Sequence, residues 1–168
     1  MALLLVGLGG CHKVASDTEL SGYAPYTGQA PLTIRGVYPG QTENDVISLL
    51  GPPDRRDAAG TQRFSLQWQR FSDMVVTLDG AGQVTEVLGN ELTAGPNSVV
   101  QQGMSEADVR HVLGKPVKDQ SQDQPSGSGI ISFGGKRVGR TLWYRRDAHT
   151  IEVTLREDRL AYLRVASP

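Results

Sequence analysis

A motif of fourteen residues occurs twice in this chain, and this repeat constrains the fold more than any other feature of the sequence. Residues 40–53 match residues 103–116, and every matched pair is separated by 63 positions. The shared positions hold a glycine, a hydroxyl residue, Glu, Asp, Val, two aliphatic residues, a second glycine and a proline. Repetition at a fixed spacing indicates two copies of one supersecondary unit, and a chain of 168 residues accommodates two small units.

The motif predicts a short helix in each copy. Thr42 and Ser105 are suited to cap the helix N-terminus, and Asp45 and Asp108, three residues later, complete a capping box. The apolar residues of each copy follow the spacing i, i+3 and i+4 and form one stripe: Val46, Leu49 and Leu50, then Val109, Val112 and Leu113. A glycine followed by a proline ends each helix. Capping therefore explains the repeated carboxylates better than catalysis does.

Strand-like sequence follows each predicted helix. Strands are predicted over 64–68, 74–78 and 84–88 in the first copy and over 141–145, 150–155 and 160–165 in the second. Trp68 and Trp143 occupy the equivalent first strands, where a tryptophan is expected in the core or half-buried. The predicted fold class is α+β, with two tandem modules, each of one or two short helices packed on a three-stranded antiparallel meander.

The first ten residues are uncharged and almost wholly apolar, and the only cysteine of the chain, Cys11, follows them. A run this short cannot span a bilayer as a helix, which needs about 20 apolar residues, but it suits a secretory signal. Residues 8–11, Leu-Gly-Gly-Cys, resemble the lipobox of bacterial lipoproteins. The resemblance implies a diacylglycerol on the Cys11 thiol, which anchors the protein to a membrane. The alternative is that Cys11 ends an ordinary signal or is a buried free thiol.

These features divide the chain into four consecutive segments. They are a signal peptide at 1–10, a lipidated flexible tether at 11–30, a first module at 31–96 and a second module at 97–168. The second module contains an inserted loop at about 119–138. The tether is poor in aliphatic residues, which is typical of a chain that does not order itself. Its tyrosines, Tyr23 and Tyr26, either dock on the first module or stay exposed.

The repeated string Gly-x-[Thr/Ser]-x3-Val-x2-[Leu/Val]-Leu-Gly-x-Pro, placed before a tryptophan-containing meander, resembles the SmpA/OmlA family of BamE-like lipoproteins. The likeness covers residues 31–165, and the lipobox matches the same family independently. It implies a lipoprotein on the periplasmic face of the outer membrane that supports β-barrel assembly or envelope integrity. In tandem, the architecture also resembles the β-lactamase inhibitor protein (BLIP-like) fold, which implies a binding protein that captures or inhibits an enzyme.

No residue pattern indicates an enzyme, a cofactor or a metal site. The three histidines, His12, His111 and His149, do not recur between the copies and lack the spacing of metal ligands. Residues 127–136 invite comparison with a phosphate loop, but Ile130 stands where that loop needs a glycine. The formal net charge of −1 does not indicate a nucleic-acid partner. We therefore predict a noncatalytic protein without a small-molecule substrate.

Candidate contact residues lie in and beside the insertion of the second copy. The apolar centre of the insertion includes Ile131 and Phe133, and an insertion in one copy is either a site of private function or a tolerated loop. Five basic residues follow it: Lys136, Arg137, Arg140, Arg145 and Arg146. They either contact lipid headgroups or an acidic partner, or they form a solvated strand edge. Of these residues we select Ile131, Phe133, Arg145 and Arg146 as candidate contacts with a partner or with lipid.

The sequence therefore predicts a noncatalytic envelope lipoprotein that is anchored through Cys11 and binds other envelope proteins. Cys11→Ser should abolish the acyl mass and release the protein from the membrane fraction, because a serine hydroxyl does not form the thioether. Intact-mass spectrometry and membrane fractionation of both proteins measure the effect. A soluble wild-type protein without acyl mass would contradict the predicted lipidation.

Overall fold

A computed structural model describes residues 23–28, 30–95, 98–121, 139–146 and 148–168. The predicted lipid attachment site, Cys11, and the candidate contacts Ile131 and Phe133 lie outside these residues. The described residues include both copies of the repeated motif but only the ends of the insertion.

The described residues form two α-helices and ten β-strands. The first half contains α1 (Glu43–Leu50), β1 (Arg55–Ala58), β2 (Phe64–Trp68), β3 (Met74–Leu78) and β4 (Val84–Gly89). A hairpin of β5 (Glu91–Thr93) and β6 (Val99–Gln101) connects it to the second half. The second half contains α2 (Glu106–Leu113), β7 (Lys118–Ser121), β8 (Gly139–Arg146), β9 (His149–Arg156) and β10 (Arg159–Ala166).

Eight of the strands form one antiparallel sheet in the order β1-β2-β3-β4-β10-β9-β8-β7. Strands β4 and β10 pair at its centre, so the two halves are joined edge to edge. The predicted fold class, α+β with two tandem modules of three-stranded meanders, is therefore wrong. The structure is one large antiparallel sheet with two helices. Apolar alternation identifies which face of a strand is buried, but it does not identify which strand edges pair.

The predicted helices and their caps are confirmed. Thr42 Oγ1 accepts a hydrogen bond from the backbone N–H of Asp45 at 3.3 Å, and Asp45 Oδ2 accepts one from the N–H of Thr42 at 3.0 Å. Ser105 and Asp108 make the same reciprocal pair, at 3.2 and 3.3 Å. The glycine after each helix has a φ of 77° or 76°, in the left-handed region that favours glycine.

One hydrophobic core lies between the sheet and the two helices. Strands β2 and β3 bury strictly alternate side chains, and the apolar buried residues of the sheet lie on the face that the helices cover. Strand β1 buries no side chain, and Thr141 and Thr154 are buried on the opposite face. Gly89, in the central strand β4, allows the segment before α1 to approach closely, since a Cβ there would lie 2.6 Å from Cγ2 of Ile34. The opposite face of the sheet contributes little to this core.

The apolar stripes of the two helices are covered unequally. The side chain of Leu49 on α1 is 53% exposed, whereas its repeat equivalent on α2, Val112, is 1% exposed. Residues 23–28 lie beside α2, where the backbone N–H of Tyr26 donates to the carbonyl oxygen of Val112 at 2.8 Å. Tyr23 and Tyr26 both pack against the core. This part of the predicted tether therefore packs on the second half rather than on the first.

Trp68 is equivalent to Tyr144 and not to Trp143. Trp68 lies opposite Met74, Tyr144 lies opposite Ile151, and both of these aromatic side chains are fully buried. Trp143 comes one residue earlier in β8, so its side chain lies on the other face of the sheet. The two tryptophans are both near strand centres in the sequence, but alternation gives them different environments.

An arginine two residues after each buried aromatic binds the end of the helix in its own half. Arg70 Nη2 donates to the carbonyl oxygen of Leu50 at 2.5 Å, and Arg146 Nη2 donates to that of Leu113. A cation near a helix C-terminus satisfies carbonyls that lack intrahelical partners and interacts favourably with the helix dipole. Each half therefore fastens its helix to its sheet in the same way.

The two equivalent aromatics should respond differently to loss of their polar atom. Trp68 Nε1 donates to the carbonyl oxygen of Gly51 at 3.1 Å, whereas the hydroxyl of Tyr144 is buried without a hydrogen-bond partner in the described structure. Burial raises the pKa of Tyr144 to about 12. Trp68→Phe should lower the free energy of unfolding by roughly 1–3 kcal/mol, and Tyr144→Phe should leave it unchanged or raise it by up to about 1 kcal/mol. Urea denaturation measures both, and a large loss in Tyr144→Phe would contradict the assignment.

Candidate functional site

The second face of the sheet lies opposite the helices, and most of its side chains are half-buried or exposed. We call it the open face. Paired residues of neighbouring strands share a face, so the strand registers identify its members. One row crosses all eight strands: Arg55, Gln67, Val75, Leu88, Arg164, Glu152, Trp143 and Lys118. The row mixes charged, polar, aliphatic and aromatic side chains, which is the composition of a binding surface rather than of a core.

Ion pairs at the centre of the open face connect the two halves. Arg164 on β10 donates to Glu86 on β4 at 2.6 Å and to Glu152 on β9 at 3.1 Å. The hydrogen bond with Glu86 and the charge of Glu86, followed by the hydrogen bond with Glu152, raise the pKa of Arg164 above its usual value. The pair with Glu86 spans the β4–β10 junction, so these charges hold the halves together and are largely neutralised by each other.

Uncompensated cations lie at the β7–β8 end of the open face. Lys118 Nζ lies 4.8 Å from the centre of the Trp143 ring, within the range of a cation–π interaction. Arg145 follows Trp143 by two residues on β8, so it lies on the same face, and it is exposed. Neither Lys118 nor Arg145 forms an ion pair within the described residues. We call Lys118, Trp143 and Arg145 the basic-aromatic patch.

The structure divides the predicted basic residues between the two faces of β8. Arg145 lies on the open face, whereas Arg140 and Arg146 lie on the face covered by α2. Arg146 binds the C-terminus of α2, and Arg140 forms ion pairs with Glu106 and Asp119. Period-two alternation along β8 separates residues that are neighbours in sequence. The role of Arg146 as a contact remains a prediction, now with an intramolecular partner, and Lys136 and Arg137 lie outside the described residues.

Sequence analysis did not identify Lys118, because β7 was not predicted. The sequence of β7, Lys-Asp-Gln-Ser, contains no apolar residue and lies at the start of the insertion. The partial exposure of Trp143 could have been inferred from its position one residue before the buried Tyr144. No sequence signal places Lys118 over that ring.

Four charged side chains form a closed network between α2 and strands β7 and β8. Arg110 pairs with Glu106 and Asp119 at 2.7 Å each, and Arg140 pairs with Glu106 at 2.8 Å and with Asp119 at 2.5 Å. The hydrogen bonds from Arg140, followed by those from Arg110, lower the pKa of Asp119. Every charge in the network has two partners of opposite sign, so this network fastens α2 and offers little free charge to a ligand.

The described residues contain no group of three His, Cys, Asp or Glu side chains arranged to hold a metal ion. His111 lies on α2, and His149 lies at the start of β9. Among the helices of the described chain, none has the length and apolarity needed to cross a membrane.

Three solved structures resemble this fold at low sequence identity. An extracellular protein containing a SCP domain from Bacillus anthracis has a TM-score of 0.54 and 10% identity, over 98% of this chain and 50% of that one. A DUF4309 family protein from Bacillus subtilis has a TM-score of 0.51 and 11% identity, over 85% and 90%. A cysteine-rich secretory protein from Staphylococcus aureus has a TM-score of 0.54 and 13% identity, over 87% and 47%. The chain thus spans about half the length of two of the three.

These similarities correct the family resemblance inferred from the repeated string. The matched structures are SCP-domain and DUF4309 proteins, and neither the SmpA/OmlA family nor the β-lactamase inhibitor protein is among them. The sequence matches no protein-family model and no curated protein. The resemblance to the BamE-like and BLIP-like proteins is therefore wrong, because its string consists mainly of helix caps and terminators that unrelated helices share. At these identities the structural matches show the fold alone.

Acid should weaken the charged network through Asp119. A carboxylate whose pKa is lowered in the folded protein contributes stability above its unfolded pKa, about 3.9, and loses that contribution as the pH falls through the folded pKa. Asp119→Asn should therefore cost up to about 1 kcal/mol of unfolding free energy at pH 7, and this cost should shrink below about pH 4. Urea denaturation of the variant and the wild type, at pH 7 and at a pH below about 4, tests this expectation. Asp57→Asn, which removes the exposed pair with Arg55, serves as the control, and a cost independent of pH would contradict the role of Asp119.

Proposed function

We propose that the protein is a noncatalytic binding protein of the cell envelope that holds an acidic, partly apolar segment of a protein partner on the basic-aromatic patch. The supporting observation is the juxtaposition of Lys118 and Arg145, without carboxylate partners in the described structure, beside the half-buried ring of Trp143 on the open face. Two cations on the same sheet face as an aromatic ring suit a ligand that supplies carboxylates beside an apolar group.

Charge separation along the chain supports an acidic partner. Residues 97–168 contain eleven Lys and Arg against eight acidic residues, whereas residues 31–96 contain five Arg against eight. The excess of positive charge therefore lies in the half that contains the patch. Complementary charge accelerates association and selects partners, and an aromatic residue that becomes fully buried supplies affinity.

A membrane surface is a less well supported ligand for the patch than a protein segment. A membrane surface attracts clusters of basic residues, each contributing about 1 kcal/mol, and stable attachment by charge alone needs more than two of them. The patch has two cations on one corner of a sheet face whose centre contains paired charges. A protein segment with one or two carboxylates matches this number of charges better than a lipid surface does.

A location outside the cytoplasm agrees with two independent observations. The apolar N-terminal run followed by Cys11 is typical of a lipoprotein signal, and one matched structure belongs to a protein described as extracellular. We extend this to a lipid anchor on Cys11 that holds the protein at the periplasmic face of the outer membrane, where it acts as an interaction or scaffold protein.

A synthetic peptide with glutamates at alternate positions and one central leucine is the probe for the patch. Trp68 is buried, so the fluorescence of Trp143 should report binding. The double variant Lys118→Glu, Arg145→Glu should weaken binding at least tenfold, about 1.4 kcal/mol, and a rise in salt should weaken binding to the wild type.

The matched control is Arg55→Glu, Arg63→Glu, which changes the net charge equally but lies in the first half. It should bind the peptide as the wild type does. Equal weakening in both double variants would show that only net charge matters and would contradict a specific patch. Loss of binding to anionic vesicles by the patch variant, with peptide binding unchanged, would assign the patch to lipid instead.

A further inference from the structure

A cavity of about 290 Å³ opens at one end of the central strands. It lies where the turn before β3, the end of β4 and the start of β10 meet. Its wall includes two apolar surfaces and four polar side chains: Leu88, Tyr162, Ser72, Asp73, Asn90 and Gln102. The basic-aromatic patch does not include any of these residues, so the cavity is a separate feature of the molecule.

Irregular backbone on both sides creates the space. Ser72 and Asp73 both adopt left-handed conformations, with φ of 56° and 58°, which turn the chain sharply before β3. On the other side, the β9–β10 register shifts between Leu160 and Tyr162, so a bulge at Ala161 changes the direction of the strand. Strained turns and bulges are concentrated at binding sites, where they direct side chains toward a ligand.

The walls are held in place by hydrogen bonds of their own. The backbone N–H of Gln102 donates to the carbonyl oxygen of Asn90 at 2.8 Å, which fixes these two residues side by side. Gln67 Nε2 lies 3.4 Å from Asp73 Oδ1 and orients that carboxylate from the open face. The cavity is therefore a formed feature of the fold and does not require a large rearrangement to accept a ligand.

The chemistry of the wall selects the class of ligand. Two carboxamides, a hydroxyl and a carboxylate present both donors and acceptors, and no cationic side chain lines the cavity. An anion would meet the Asp73 carboxylate without a compensating charge. A neutral ring that carries several hydroxyl groups can use the donors and acceptors together, while its C–H face packs on the aromatic ring of Tyr162 and on Leu88.

The size of the cavity limits the ligand to about one ring. Cavities for small ligands start at about 300 Å³, and larger ligands occupy several times that volume. A volume near this lower bound suits one sugar ring, with the rest of a longer chain extending into solvent through the open side. From these observations we propose that the cavity binds a single neutral hexose or N-acetylhexosamine unit of a glycan. The proposal is independent of the function assigned to the basic-aromatic patch.

Saturation-transfer NMR with glucose, N-acetylglucosamine, maltotriose and chitotriose as probes tests this site on the full chain. At least one probe should receive saturation from the wild type. Tyr162→Ala should weaken its binding at least tenfold. Gln102→Ala and Asp73→Asn should each weaken it several-fold, because the first removes a carboxamide and the second replaces an anionic acceptor with a neutral amide. Tyr38→Ala, at an exposed tyrosine that does not line the cavity, is the matched control and should bind normally.

Gln102 and Asp73 are exposed, so their variants should fold even if Tyr162→Ala does not, and circular dichroism checks each one. No saturation transfer to any of the four sugars would overturn the proposal, as would equal binding by the wild type and all three cavity variants. Peptide binding at the basic-aromatic patch should be unchanged in Gln102→Ala, so failure of one site is distinguishable from failure of the other.

Discussion

The pairing of β4 with β10 is the interaction on which the rest of the structure depends. Each half of the chain ends in a strand whose outer edge would otherwise present unpaired backbone groups to solvent. The antiparallel register of residues 86–89 with 163–166 satisfies these groups, and Arg164 reinforces the junction through Glu86. One continuous sheet results, and both helices pack on the same face of it. Because of this junction the open face extends across both halves, and the cavity forms where residues of both halves meet.

The two halves share the residues that hold each helix on the sheet, and they differ in the charged residues at the surface. Both have a capping box, a glycine after the helix, a buried aromatic and an arginine that binds the helix C-terminus. Around the helix N-terminus they diverge. In the first half, Arg56 pairs with Glu43 and lies 5.0 Å from the ring of Phe64. The second half has Asp119 and Arg140 at the corresponding positions and closes a network of four charges. The residues at the two positions thus differ in charge between the halves, but in both halves at least one of them pairs with the helix.

Local chemistry made part of the fold predictable from the sequence. The helices, their caps and six of the strands follow from residues close in the chain, because capping and alternation are local properties. Strands β1, β5, β6 and β7 were not predicted. The sequences of β1 and β7, Arg-Arg-Asp-Ala and Lys-Asp-Gln-Ser, contain too few apolar residues to show alternation, and β5 and β6 have only three residues each. The joining of the halves was also missed, because edge pairing is not encoded in periodicity. The same limits apply to the site: Arg145 was selected, but Lys118 lies on an unpredicted strand, and Arg146 lies on the opposite face.

In this fold, the proposed binding sites and the apolar core lie on different faces of the sheet. The core and the helices are held by the other face, so Val75, Leu88, Trp143 and Tyr162 contribute little to attaching α1 or α2. Side chains that are half-buried on this face retain apolar area that a partner can remove from water, at about 25 cal/mol per Å². Because the patch and the cavity are at different places on this surface, each can bind its own ligand. The proposed protein partner would bind at the basic-aromatic patch and the proposed sugar at the cavity, and neither requires a change in the fold.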